Sequence, residues 1–81
     1  MSAVNYAAPA DLYPSRAHQG RRSALRYRRF DTAAEAVRFA MEELPPEQLN
    51  GTLIEIDEDR FDAAGIGQLY RSAEYPLPRI A

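Results

Sequence analysis

The densest group of chemically able side chains is Asp57-Glu58-Asp59-Arg60-Phe61-Asp62. Carboxylates at alternate positions of a loop are what a hard divalent cation takes as ligands. This run fails the EF-hand pattern: Phe61 stands at the fifth position, where a ligand is needed, and Asp62 at the sixth, where glycine makes the sharp turn. It reads better as a solvated turn from a strand into a helix. The same carboxylates would serve acid–base chemistry only with a burial-shifted pKa and a cleft, and the pattern signals neither. Gly65-Ile66-Gly67 has part of a phosphate loop, but position 70 is Tyr and no strand directly precedes it. The single His, His18, has no metal-ligating partners at useful spacing. There is no Cys, and the Ser residues lie near termini or element ends with no base at recognisable spacing. The residues therefore name no catalytic residue, no metal site and no cofactor, and the chain reads as no enzyme.

One stretch has the composition for binding a polyanion. Arg16 to Arg29 carries six Arg, with Tyr13, Tyr27 and Phe30 around and between them. Arginines neutralise phosphates and aromatic rings stack on bases. Arg21, Arg22, Arg26 and Arg28 are the candidate nucleic-acid contacts. Against this, residues 1–30 sum to +5 and residues 31–81 to −7, for a net −2. The overall field therefore does not favour a polyanion. Outward charges on an edge strand also discourage aggregation, which is the plainer reason for them.

The element that must position everything else is a helix beginning at Thr32. Thr32-Ala33-Ala34-Glu35 has the spacing of a capping box, and Asp31 and Glu35 suit the positive end of the helix dipole. Pro45 and Pro46 stop the helix near Leu44. Ala33, Ala34, Ala36, Val37, Ala40, Met41 and Leu44 form one apolar stripe. Arg38, Glu42 and Glu35 lie opposite, with Arg38 and Glu42 spaced as an i,i+4 pair. Phe39 falls outside the stripe, between Glu35 and Glu43, and needs a cover.

Strands are expected on either side. Thr52 to Asp57 follows the Asn50-Gly51 turn, with Ile54 and Ile56 inward. Leu25 to Phe30 begins by alternating apolar and basic residues. Leu25 and Tyr27 are expected to face the helix and Arg26 and Arg28 the solvent, with a bend re-aiming Phe30. The helix length fits a crossover between parallel strands. A second helix is expected from Ala63 to Ser72, capped by Asp62 and with Ile66, Leu69 and Tyr70 on its apolar face. Tyr75-Pro76-Leu77-Pro78 reads as an extended tail that folds back on the core or docks on another protein.

The fold class expected is α/β or α+β, a β-α-β-α unit with a two- or three-stranded sheet. Residues 1–22 are read as a disordered basic tail, and residues 23–81 as a single small domain. The stretch FDTAAEAVRFAMEELPPEQLNGTLIEIDEDRFDAAGIGQLYRSAEYPLP, with its surroundings from 25 to 80, resembles a type of short uncharacterised bacterial protein. The resemblance implies one small bacterial domain and carries over no activity or site.

A core of fewer than about 60 residues is marginal alone. A two-stranded sheet needs more cover, from a tail or from a second copy across an edge. The function expected is therefore a non-enzymatic protein–protein interaction or assembly module, homodimeric or with another protein. Phe39, Tyr75 and Leu77 are the candidate interface. The alternative is a nucleic-acid-binding accessory protein that uses the Arg-rich arm. No apolar run approaches the roughly 18 residues that span a bilayer, and the front lacks the pattern of a secretory signal, so no membrane and a cytoplasmic location are expected.

Overall fold

The computed structural model describes residues 4–14 and 27–78. It is a mixed α+β fold: a four-stranded antiparallel sheet with three helices. The strands are β1 (Ala10–Tyr13), β2 (Arg28–Phe30), β3 (Leu53–Ile56) and β4 (Asp59–Phe61), in the order β2-β1-β3-β4. The helices are α1 (Ala33–Glu42), the single-turn α2 (Pro46–Leu49) and α3 (Ala63–Arg71).

The sheet has four strands rather than two or three, and the first extra one comes from the supposed tail. β1 lies in the centre, pairing with β2 on one side and β3 on the other. Leu12 is fully buried and Ala10 nearly so. The reading of residues 1–22 as disordered fails over 4–14, for a plain reason. Ala10-Asp11-Leu12-Tyr13 alternates over only four residues between Pro9 and Pro14, too short a run to stand out. In the fold it gains ladder bonds on both edges. The same segment also caps α1. The amides of Ala33 and Ala34, orphans of a first helical turn, donate to the carbonyls of Ala8 (2.6 Å) and Tyr6 (3.0 Å). Thr32 Oγ1 accepts from the Glu35 amide at 3.2 Å, as the capping box requires.

β2 and β3 both run antiparallel to β1, so they are parallel to each other with β1 inserted between them. The crossover inferred from the helix length thus joins parallel strands that are not neighbours. Pro46 opens α2 and Gly51, with φ 95°, turns the chain towards β3. Buried Thr52 is satisfied there, its hydroxyl donating to the Gln48 carbonyl at 2.6 Å.

The acidic run after β3 is a hairpin. Ile56 pairs with Asp59 across the two-residue loop Asp57-Glu58, whose φ angles are 50° and 74°. Two positive φ values in a two-residue loop are the mark of a type I′ turn, which matches the twist of the strands. β4 was masked in the sequence because its turn lacks glycine. Asp62 then caps α3, its Oδ1 accepting from the Gly65 amide at 3.0 Å.

The helices pack on one face of the sheet, with Ala33, Ala36, Val37 and Ala40 of α1 and Ile66 of α3 buried against Leu12, Ile54 and Ile56. The small alanine side chains let α1 lie close to the strands. The stripe read from the sequence is thus the buried one. Gly65 and Gly67 do not mark a close approach between elements. A Cβ at Gly65 would meet only Phe61 side-chain atoms and the Asp62 cap at ordinary contact distances, and one at Gly67 would meet the end of Arg71. None of the described helices is long and apolar enough to cross a membrane.

Candidate interaction surface

Alternation along the strands gives the sheet two sides with different chemistry. Phe30, Ala10, Leu12, Ile54, Ile56 and Phe61 face the helices. The other side, which none of the described helices covers, carries two rows. One is Arg29, Asp11, Glu55 and Arg60, joined by the pairings Asp11 with Arg29, Asp11 with Glu55, and Glu55 with Arg60. The second contains Tyr27, Tyr13 and Leu53, with Tyr13 paired to Leu53 and the Tyr13 and Tyr27 rings 5.4 Å apart.

Tyr13 and Tyr27 are the exposed large apolar side chains of the described residues, at 40% and 54% exposure. Their hydroxyls point into the charged row. Tyr27 Oη donates to Asp11 Oδ1 at 2.7 Å, and Tyr13 Oη donates to Glu55 Oε1 at 3.4 Å. Arg29 Nη1 reaches the same Asp11 oxygen at 2.9 Å, and Arg60 Nε lies 3.9 Å from Glu55. The hydrogen bond to Asp11 is the main cause that raises the Tyr27 pKa, and for Tyr13 local desolvation leads, helped by Asp11 and Glu55. The Asp11 carboxylate also raises Arg29. Both phenols therefore stay protonated donors at neutral pH. The result is a patch of preset aromatic rings whose charges are already matched within the chain.

No family model matches the chain, nor does any curated protein or solved structure.

The structure separates the residues that the sequence grouped as interface. Tyr75 is 6% exposed and belongs to its own core, its ring packed on Tyr6 and Tyr70 and its hydroxyl 3.4 Å from the Ala34 carbonyl. Leu77 packs against the same core. The C-terminal segment thus folds back, with Tyr75 buried in its own core. Phe39 is half-buried, but its cover is β2 and not that segment. Its ring lies 5.5 Å from Phe30, with the Arg28 guanidinium 5.1 Å from its centroid.

Arg28 is exposed on β2. It lies on the helix side of β2, while Tyr27 and Arg29 lie on the open side, the reverse of the phase read from the sequence. With that phase Phe30 is buried without any bend. Arg21, Arg22, Arg26 and His18 fall outside the described residues. Among the described residues no three His, Cys, Asp or Glu stand close enough to hold a metal ion. Asp11 was missed because it sat in the presumed tail, and Tyr13 was read only as an aromatic beside the Arg-rich stretch; the alternation of residues 10–13 was the only signal of a strand.

Proposed function

We propose that this chain is a non-enzymatic protein–protein interaction module that pairs with a second copy of itself through the helix-free face of its sheet. The observation that carries this is the exposed Tyr13–Tyr27 pair held beside neutralised charges. Tyr and Arg are the residues that protein interfaces concentrate, because they offer large rigid contact area with a polar end. Burying an unpaired charge is costly, and here the guanidinium and the carboxylate enter the interface already paired. The face sums to no net charge, so two copies meet without long-range repulsion.

The sheet edges support this choice of surface. β2 and β4 are three residues long and bear Arg28-Arg29 and Asp59-Arg60. Centred antiparallel pairing of β2 with its copy would set Arg29 against Arg29. Short charged edges of this kind resist edge-to-edge association.

The alternative of nucleic-acid binding draws on the same tyrosines, since an aromatic pair on an open sheet can stack bases. A phosphate would first have to displace Asp11 from Arg29, which weighs against it. Light scattering between about 1 μM and 1 mM separates the readings. We expect mass to rise from monomer to dimer with concentration. Joint Tyr13→Ala and Tyr27→Ala replacement should weaken that by about tenfold or more while the fold persists. A monomer throughout, or a double variant that dimerises equally well, overturns self-association. Salt-dependent binding of a single-stranded oligonucleotide, lost in the same double variant, would put nucleic acid in its place.

A further inference from the structure

On the opposite side of the sheet from the tyrosines, a groove of about 460 Å³ runs between the β2 edge and α1. Arg28, Phe30, Glu35, Arg38, Phe39 and Glu43 line it. Two guanidiniums and two carboxylates thus share one groove. Neither ion pair of the described residues uses any of the four. Arg28 instead lies over aromatic rings, with its Cζ 4.8 Å from the Phe30 centroid and 5.1 Å from that of Phe39. Cation–π contacts of this kind fix the guanidinium while leaving its N–H edge able to donate.

A surface arginine beside glutamates ordinarily collapses onto one of them. Here the opposite charges stay apart across a concave, partly apolar space. A purely anionic ligand would meet Glu35 and Glu43, and a purely cationic one would meet Arg28 and Arg38. A ligand bearing both signs satisfies both sets. Phe30 and Phe39 also line the groove and supply contact for an apolar group beside the guanidinium. The volume lies within the range of small-molecule sites.

We propose that this groove binds a zwitterion with an apolar side chain, of the class of the hydrophobic α-amino acids. Its carboxylate is taken by Arg28 and Arg38, its ammonium by Glu35 and Glu43, and its side chain by Phe30 and Phe39. The site is separate from the tyrosine face, so either proposal can fail without the other.

The test is an amide-resolved NMR titration of the full chain with L-phenylalanine, 3-phenylpropionate and phenethylamine. The amino acid should shift amides of residues 28–30 and 35–43, with a dissociation constant of about 1 mM, fitting so few ligand atoms. Each analogue, lacking one charge, should bind about tenfold more weakly or worse. Arg28→Gln and Glu43→Gln should each weaken the amino acid by a similar factor, while Glu47→Gln on α2 should not. No shifts at about 10 mM amino acid, or an analogue that binds as tightly as the amino acid, overturns the proposal.

Discussion

Asp11 is the residue on which the open face turns. One carboxylate oxygen accepts from both the Tyr27 hydroxyl and the Arg29 guanidinium. That arrangement favours the neutral phenol, so the Tyr27 pKa is raised. A group whose folded pKa is raised contributes stability below its unfolded value, about 10 for tyrosine, and loses it as pH climbs through the folded value. The Tyr27 contribution is therefore complete at neutral pH and fades only in alkali. Asp11→Asn removes the charge and keeps the shape. Following the phenol carbon signals by NMR, we expect Tyr27 in that variant to ionise at lower pH than in the parent chain. Tyr13 should move the same way but less, because local desolvation and not Asp11 leads its shift. An unchanged Tyr27 curve would mean that the hydrogen bond does not form in solution.

At the scale of elements, the helices were legible and the strands only partly so. Thr32 and Asp62 announced α1 and α3 because a cap is a local event, one side chain meeting an amide three residues on. Ile54 and Ile56 announced β3 by alternation. β1 and β4 were not legible, since three or four residues give no period, and the partners of β1 lie far along the chain. Missing β1 also hid the open face, because Asp11 and Tyr13 are its centre. The β3–β4 turn was hidden by its composition: Glu58 holds φ 74° with no glycine to ease it. A non-glycine residue in the left-handed region costs roughly 1–2 kcal/mol, part of which glycine would return as chain entropy. Glu58→Gly should therefore stabilise the fold by about 0.5–1 kcal/mol, read as a rise of a few degrees in melting temperature. A lower melting temperature would show that the Glu58 side chain contributes more than the strained backbone costs.

At the scale of the molecule, size sets both the strength of association and the tolerance to truncation. Four strands about 4.8 Å apart, none longer than four residues, make a face of only about 250 Å² in projection, well below the roughly 800 Å² per partner of a standard interface. The self-association proposed above should accordingly be weak and concentration-dependent. Within one copy, a domain of this size buries only about 60% of its unfolded surface, so each central element is decisive. β1 is the extreme case. Without it β2 has no neighbour, and β3–β4 is a lone hairpin, which is marginal in water. Leu12 and Ala10 leave the core with it, and the Ala33 and Ala34 amides of α1 lose their acceptors at Ala8 and Tyr6. A chain beginning at residue 15 should therefore lose its dispersed amide spectrum and its cooperative melt, whereas one beginning at residue 4 should keep both. Deleting residues 1–22 is for the same reason no test of an Arg-rich arm, since it removes the middle of the sheet along with Arg16, Arg21 and Arg22. If the chain beginning at residue 15 folded cooperatively, β1 would be an added strand rather than the centre, and Tyr13 would have no fixed place beside Tyr27.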